Sequence, residues 1–281
     1  MKILITGAKG QLGKCIKDAA ANYPEFNFLF ASRELLNIES EKSVSNIFEN
    51  NRFDYCINTA AYTNVEKAES DQETAFLTNA EGVKHLASHC KRNNTTLIQI
   101  STDYVFDGKK GIPYNEEDST NPLNVYGASK LKGEQYVQEI CQAYYILRTS
   151  WLYSQYGHNF YNTVLRFAKE GKPLTVTTEQ IGTPTNANDL AKAILTIIKS
   201  NKGKYGIYNF SNQGEATWYD FAREVLIQTN QLTKSNLVKT DYYRTFASRP
   251  KYSVLNTIKY NTAFVNLVID WKSSLKSVII K

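Results

Sequence analysis

Tyr126 and Lys130 are two side chains whose types and spacing are suited to moving a proton. Residues four positions apart share one face of a helix, so the lysine ammonium can lie close to the phenol. A free tyrosine has a pKa of about 10 and is a poor acid at neutral pH, whereas a neighbouring cation lowers that pKa. We expect Tyr126 to be a general acid with Lys130 as its partner, although the spacing alone also suits an ordinary helix.

A hydroxyl and a carboxylate follow a predicted strand upstream of this pair. Thr102 and Asp103 come directly after the strand-like run Thr95–Ser101. Ligands of parallel α/β sheets bind at the carboxyl ends of the strands. Thr102 is therefore placed to hydrogen-bond the oxygen of a reacting carbonyl, and we expect it to share the developing negative charge with Tyr126.

Three glycines, Gly7, Gly10 and Gly13, lie between the first predicted strand and the first predicted helix. Glycine permits the tight turn and lets the backbone approach a pyrophosphate, and a helix N-terminus offers that phosphate free N–H groups. In this position between strand and helix, the spacing predicts a dinucleotide site.

The end of the second predicted strand indicates which dinucleotide is bound. An NAD site places an acidic residue about 20 positions after the glycines, where it binds the ribose 2′-hydroxyl. Ser32 and Arg33 stand there in this chain. A hydroxyl and a guanidinium suit a 2′-phosphate, so we expect NADPH, with NADH as the alternative. An Arg33 that pairs with Glu34 at the surface is the other interpretation.

These motifs lie on alternating strands and helices. The predicted strands are Lys2–Thr6, Asn27–Ser32, Tyr55–Ala60, Thr95–Ser101 and Ala143–Thr149, and the predicted helices between them are Gln11–Asn22, Ser40–Asn51, Asp71–Asn93 and Val125–Cys141. Strands that are apolar throughout are buried on both faces. The alternation therefore predicts an α/β fold with a doubly wound parallel sheet.

After residue 150 the pattern becomes less regular. It predicts helices at Asn159–Lys169, Asp189–Ser200 and Trp218–Thr229 and a strand at Tyr205–Phe210. We expect a dinucleotide-binding domain over residues 1–150 and a smaller substrate-binding lobe over residues 151–281, from which the chain returns in part to the sheet.

Composition and charge exclude several classes of protein. The 281 residues are 42% hydrophobic, which excludes a disordered chain. Residues 1–150 hold 16 basic and 19 acidic side chains, whereas residues 151–281 hold 17 and 8. A basic C-terminal half predicts an anionic small molecule, and the lack of a dense Lys/Arg cluster argues against nucleic acid. No apolar run of about 18 residues and no signal-peptide pattern is present, so we expect a cytoplasmic protein without a membrane partner.

Cysteine and histidine usage predicts no metal site. The four cysteines lie far apart without a CxxC pair, so we expect buried, reduced thiols. His85 and His89 can share a helical face, but a third ligand is missing.

Taken together, the motifs resemble those of the extended short-chain dehydrogenase/reductases, and within them the dTDP-4-dehydrorhamnose reductase family. The resemblance covers nearly the whole chain and rests on the segments Asn58–Thr63, Lys67–Ser70, Ser101–Gly108, Pro122–Gly127, Arg148–Tyr153, Gly182–Thr185 and Ala247–Pro250. It implies a Rossmann-like sheet and an NAD(P)H-dependent reduction of a 4-keto sugar nucleotide to dTDP-L-rhamnose.

The resemblance also implies roles for individual residues. The catalytic residues would be Thr102, Tyr126 and Lys130. The cofactor would contact Gly7, Gly10, Gln11, Leu12, Gly13, Ser32, Arg33, Ala60, Ala61, Tyr62, Tyr126 and Lys130. The substrate would contact Thr102, Asp103, Trp151 and Arg249. We expect Trp151 to offer a flat face to the sugar, or else to be a core residue, and Arg249 to bind phosphate.

Two positions depart from the family pattern. Members often carry an acidic residue near the position of Cys15, where it helps a magnesium ion join two subunits. A thiol is a poor ligand for Mg²⁺, so we expect a monomer or a metal-independent homodimer, with Asp18 as the carboxylate that could substitute. Asn37 stands where many members have an aspartate, which affects adenosine contacts and not the chemistry.

Other functions remain open on the same residues. One alternative is a reductase of another 4-keto-6-deoxy sugar nucleotide. A second is a non-catalytic NADP-binding subunit that regulates a methionine adenosyltransferase, but such a subunit has no chemical need of Thr102, Tyr126 and Lys130. A third is an epimerase or dehydratase, although a dehydratase commonly needs a carboxylate pair after the fourth strand, where only Asp103 stands.

Overall fold

A six-stranded parallel sheet forms the centre of the computed structural model, which describes residues 1–265 and 268–279. Its strands are β1 (Lys2–Thr6), β2 (Asn27–Phe30), β3 (Tyr55–Asn58), β4 (Thr96–Thr102), β5 (Tyr144–Thr149) and β10 (Gly206–Asn209). Their spatial order is β2–β1–β3–β4–β5–β10, and every pair is parallel. The order reverses between β1 and β3, the point at which such sheets bind ligands. The predicted doubly wound sheet is confirmed.

Helices cover both faces of this sheet. In chain order they are α1 (Gln11–Ala20), α2 (Glu41–Glu49), α3 (Val65–Ala68), α4 (Gln72–Phe76), α5 (Gly82–Arg92), α6 (Val125–Ile140), α7 (Phe160–Lys169), α8 (Ala187–Ser200), α9 (Trp218–Gln228), α10 (Ile258–Phe264) and α11 (Trp271–Ile279). Short 3₁₀ turns lie at Asp103–Val105 and Leu232–Lys234.

Alternation of side chains along β1 divides the core into two layers. Ile3 and Ile5 are fully buried with α1, α8 and α10 on one face of the sheet. Leu4 is fully buried on the other face with α2, α5 and α6. Each such side chain contributes about 1.5–3 kcal/mol by leaving water, which is why these strands are apolar throughout.

The predicted helix Asp71–Asn93 is present, since residues 72–92 are helical without a break. The sequence did not predict the π-helical turn at Leu77–Glu81 that separates α4 from α5 within it. The π turn holds Asn79, which is 1% exposed. Single π turns inside helices are rare and often occur beside functional sites.

The C-terminal half contributes to the sheet as well as to a smaller lobe. The predicted strand at Tyr205–Phe210 is present as β10 and pairs with β5, and α8 packs along α1. The remaining strands form three two-stranded sheets: β6 (Leu152–Tyr153) with β9 (Thr185–Asn186), β7 (Leu174–Thr177) with β12 (Leu237–Thr240), and β8 (Ile181–Gly182) with β11 (Ala216–Thr217). A third apolar cluster gathers α7, α9 and α11. The domain boundary at residue 150 stays a prediction.

Candidate active site

A cavity of about 410 Å³ lies where the carboxyl ends of β1, β3, β4 and β5 meet. Its wall brings together the three predicted catalytic side chains, Thr102, Tyr126 and Lys130. Asp103 and Trp151, two of the predicted substrate-binding residues, line the same cavity.

Close packing of α6 against the end of β4 places the catalytic side chains beside one another. Asn124 caps the helix, and its side-chain oxygen accepts a hydrogen bond of 2.7 Å from the Gly127 amide. A Cβ on Gly127 would lie 2.2 Å from the Tyr104 carbonyl oxygen, so only glycine allows this approach. The first turn of α6, with Tyr126, therefore lies directly against Thr102.

The three catalytic side chains are held by short contacts. Thr102 donates its hydroxyl to Asp103 Oδ1 at 3.1 Å, and its side chain is also hydrogen-bonded with that of Tyr126. Lys130 is only 4% exposed, and its Nζ donates to the Ile100 carbonyl at 2.5 Å. The lysine is thus fixed beneath the cavity floor instead of extending into solvent.

The electrostatics of Tyr126 differ from the sequence-based expectation. Burial raises its pKa to about 12, the hydrogen bond with Thr102 lowers it, and the charge of Asp103 raises it further. The expected lowering by Lys130 is wrong, because desolvation of the phenolate dominates and the ammonium is engaged with the Ile100 carbonyl. Tyr126 is therefore a neutral phenol at physiological pH, the form from which it can donate a proton.

Asp103 is a buried carboxyl next to the catalytic hydroxyls. It is 2% exposed, and burial raises its pKa to about 7, against the lowering effect of hydrogen bonds from Ser253 and Thr102. Its Oδ2 has no hydrogen-bond partner among the described residues. The residue lines the main cavity, whereas this oxygen itself is buried.

The glycine turn fits the pyrophosphate of a dinucleotide. Gly7 has φ +61°, and a Cβ there would lie 2.7 Å from the Ala60 amide nitrogen. A Cβ on Gly13 would lie 2.7 Å from Ala8 Cα, so the helix packs closely on the turn. No side chain caps α1, which leaves its first amides directed at a phosphate. The predicted site has the required shape.

A second cavity, of about 260 Å³, adjoins the first across Gly10, Ala60 and Ala61. Gly7 and Arg33 line it, as an adenosine site at the end of β2 requires. Arg33 is exposed and pairs with Glu39 at 2.5 Å, not with Glu34.

The other predicted cofactor residues divide into two groups. Gln11 and Leu12 line the main cavity with Tyr126 and Lys130. Gly13, Ser32 and Tyr62 line neither cavity; Gly13 packs the helix, Ser32 hydrogen-bonds Glu34, and Tyr62 donates to Asp71 at 3.3 Å.

Trp151 lines the main cavity and packs against two neighbours. Trp218 stacks on it with 3.7 Å between ring centroids and 8° between planes, so Trp218 covers one face of the indole. A Cβ on Gly182 would lie 2.6–2.8 Å from three adjacent indole atoms, so Gly182 packs closely against the Nε1 side of the ring. At most one face of Trp151 is therefore left for a sugar, and its contact with the substrate stays a prediction.

Arg249 lies outside the main cavity. Its Nη2 pairs with Glu66 Oε1 at 2.7 Å, and Glu66 also accepts the backbone amides of Phe246 and Ala247. Arg249 lines a separate cavity of about 230 Å³ with Tyr242 and other residues of the basic half. A phosphate at Arg249 would have to share the guanidinium with Glu66.

Several site residues were not found from the sequence. Asn79 donates to the Tyr62 carbonyl at 2.9 Å and to Ser129 Oγ at 3.0 Å, and Ser129 donates to the Tyr126 carbonyl at 2.8 Å. Trp218 and His158 line the main cavity. An amide in the middle of a predicted helix was a signal for Asn79, whereas nothing in the sequence indicated the other two.

The described part of the chain contains no group of three His, Cys, Asp or Glu side chains placed to hold a metal ion. All four cysteines are buried, as predicted, and none of them forms a disulfide. Within the same residues, no helix is long and apolar enough to cross a membrane.

Comparison with known proteins identifies the family. A model of the RmlD substrate binding domain matches residues 1–281. The dTDP-4-dehydrorhamnose reductases of Escherichia coli K12 and Aggregatibacter actinomycetemcomitans are 38% and 37% identical to this chain, over 99% of it and 97% and 98% of their own lengths. The crystal structure of dTDP-4-dehydrorhamnose reductase from Bacillus anthracis in complex with NADP superposes with a TM-score of 0.93 at 34% identity, covering 99% of this chain and 98% of that one. The glycine turn, the buried Thr102–Tyr126–Lys130 group and similarity along the full length lead to one conclusion: the chain belongs to the RmlD family of dTDP-4-dehydrorhamnose reductases.

Proposed function

We propose that this protein reduces the 4-keto group of dTDP-4-dehydro-6-deoxy-L-mannose (dTDP-4-dehydrorhamnose) to dTDP-L-rhamnose, with NADPH or NADH as reductant. The observation that carries the proposal is the single cavity lined by Thr102, Tyr126 and Lys130 together with Gly10 of the glycine turn. The names of the full-length relatives support the same reaction, and the NADP-bound relative supports the choice of cofactor.

Two hydroxyls of the chain hold the reacting carbonyl oxygen. Reduced nicotinamide, when bound, supplies the hydride that C4 of the hexose accepts. Thr102 and Tyr126 stabilise the negative charge that develops on the oxygen, and Tyr126 then gives it a proton. Because burial keeps Tyr126 neutral, the proton is present when the alkoxide forms. General acid catalysis of this kind contributes roughly 10²–10⁴ in rate.

The assignments of the remaining site residues are proposals of the same kind. Gly7, Gly10 and the α1 amides would bind the pyrophosphate, and Arg33 would face the adenosine ribose. Asp103 and Trp151 would contact the sugar, and Arg249 a phosphate of the nucleotide. We also propose a cytoplasmic protein that is a monomer or a metal-independent homodimer; free buried thiols suit a reducing compartment.

The decisive experiment is incubation with the 4-keto-6-deoxy-L-mannose nucleotide and NADPH, with the product identified by NMR. We expect NADPH oxidation and a product with L-rhamno configuration. The 6-deoxytalose epimer would contradict the rhamnose assignment and leave a reductase of another sugar product. Tight NADPH binding without turnover would instead favour the regulatory subunit.

A further inference from the structure

A buried ion pair lies directly behind the catalytic lysine. Glu134 is 0% exposed and Arg148 is 3% exposed. The guanidinium binds the carboxylate through two nitrogens: Nε lies 3.0 and 3.2 Å from the two carboxylate oxygens, and Nη2 lies 2.7 Å from Oε2. Such a pair gains little net stability over apolar residues, since both charges are desolvated. The presence of this pair therefore indicates a function other than stability.

The pair is fixed on elements that carry the active site. Glu134 lies one helical turn after Lys130 on α6, and Arg148 lies on β5, opposite Ser101 of β4. Arg148 Nη1 also donates to the Glu116 carbonyl at 3.1 Å, and its guanidinium lies 5.1 Å from the centre of the Phe106 ring. These contacts leave the carboxylate little freedom to move.

Lys130 and Arg148 place two buried cations near one fully buried carboxylate. The other charged or titratable groups that face α6 from neighbouring elements, or lie on its buried face, are Glu69, Glu81, Asp103, Tyr104, Glu116 and Tyr126. Burial lowers the pKa of Lys130 to about 8, and among these groups only the charge of Glu134 acts to raise it. Lys130 therefore still carries its proton at pH 7, but its pKa lies much nearer to neutrality than that of a free lysine.

We propose that Glu134, locked in place by Arg148, is a positioning residue that keeps Lys130 in its charged form beneath the active-site cavity. The inference rests on the proposed function, in which Lys130 lines the cavity with Thr102 and Tyr126, where a positive charge favours the negative charge that develops on the reacting oxygen. Removing the carboxylate would let burial deprotonate Lys130 at the pH where the wild type still carries the charge.

Competitive labelling tests the proposal without substrate or cofactor. Acetylation of Lys130 by acetic anhydride, followed by mass spectrometry at a series of pH values, reads the pKa of that amine, with exposed Lys42 as internal reference. Glu134→Gln keeps the shape and removes the charge, so we expect the pKa of Lys130 to fall by about one unit or more. Glu139→Gln, which removes an exposed carboxylate from the same helix, should leave it unchanged.

Two further variants separate charge from shape and cover the case in which Glu134→Gln does not fold. Glu134→Asp keeps the charge and shortens the side chain, so the pKa of Lys130 should stay near that of the wild type. Arg148→Gln removes the competing cation and should raise the pKa of Lys130. If the pKa is equal in wild type and Glu134→Gln, or falls equally in the Gln and Asp variants, the proposal is overturned.

Kinetics distinguish failure of this inference from failure of the proposed function. In Glu134→Gln the alkaline limb of the kcat profile should move to lower pH by the same amount as the labelled pKa, whereas a general folding defect lowers kcat at every pH. If the pKa of Lys130 falls in Glu134→Gln but the wild-type protein reduces no sugar, the proposed function is contradicted and the effect of Glu134 on Lys130 stands. If the pKa of Lys130 falls in Glu134→Gln but the pH profile of kcat does not move, the role of the Lys130 charge in the reaction is contradicted.

Discussion

Tyr126 combines a high pKa with the role of proton donor in the proposed reaction, and the two properties are compatible. A phenol whose pKa is raised to about 12 is a weaker acid in the resting enzyme than free tyrosine. The alkoxide formed at C4 is a much stronger base than a phenolate, so the proton transfer remains favourable. The same burial keeps the proton on Tyr126 across the physiological pH range, so the proton is available when the carbonyl is reduced.

The first prediction concerns this hydroxyl. Tyr126→Phe removes only the proton donor, so turnover should fall by roughly 10²-fold or more while NADPH affinity stays near normal. Stopped-flow reduction and a fluorescence titration with NADPH measure the two quantities. A variant that retains most of the wild-type kcat would mean that Tyr126 is a packing residue.

The second prediction concerns cofactor choice. Arg33→Ala should weaken NADPH more than NADH, because only NADPH carries the 2′-phosphate. A charge-assisted hydrogen bond contributes about 1.5–3 kcal/mol, and we expect the lower end because Arg33 is exposed and already paired with Glu39. Titration of both cofactors against both proteins tests this. Equal losses for NADPH and NADH would remove Arg33 from the cofactor site.

Helix α6 depends on unusually close contact with the π turn that precedes α5. A Cβ on Gly133 would lie 2.2 Å from the Asn79 carbonyl oxygen, and the Asn79 side chain binds Ser129 on the same helix. The π turn directs Asn79 inward, where it also binds both backbone groups of Tyr62. The loop after β3 and the catalytic helix are thereby joined through one side chain.

The third prediction concerns Gly133, where substitution by alanine should destabilise the protein although it stabilises most helices. Gly to Ala in an exposed helix interior stabilises by about 1 kcal/mol, whereas Gly133→Ala should destabilise by about 1–3 kcal/mol because α6 must move away from Asn79. Urea unfolding measures the difference. Gln135→Ala, at an exposed position of the same helix, should change the free energy of unfolding little. A more stable Gly133→Ala protein would show that the contact is easily relieved.

At the scale of the whole molecule, helix α1 matters for the oligomeric state, because the family pattern places the acidic ligand of a bridging magnesium ion on it. Cys15 is 1% exposed and packs in the core between α1 and α8, away from any subunit surface. Asp18 is exposed, but it accepts hydrogen bonds from Tyr156 at 2.8 Å and from Gln155 at 3.5 Å. These contacts hold the carboxylate against its own chain, which weakens it as a substitute metal ligand.

The fourth prediction is that magnesium does not hold subunits together. Mg²⁺ requires several hard oxygen ligands in octahedral geometry, and a buried thiol at position 15 cannot supply one. Light scattering should therefore give the same mass before and after addition of EDTA. A dimer that dissociates on chelation and forms again with Mg²⁺ would contradict the expectation.

The order of elements and the gathering of Thr102, Tyr126 and Lys130 at one cavity could be predicted because both depend on short-range patterns. Buried strands such as Lys2–Thr6 are apolar throughout since both faces are covered, and that signal is contained in a few consecutive residues. The glycine turn and the spacing of Tyr126 and Lys130 are equally local. Their order along the chain indicated one site because parallel strands end at the same edge of a sheet.

What only the tertiary structure decided depends on contacts between residues far apart in the chain. Trp218 stacks on Trp151, Gly182 packs closely against the same indole, and Glu66 pairs with Arg249 across more than 180 positions. Burial also set the direction of the Tyr126 pKa, because desolvation depends on the packing around the whole side chain. A sequence pattern states which groups are present and how they are spaced; which neighbour each group meets, and how much water remains there, follows only once the chain has packed.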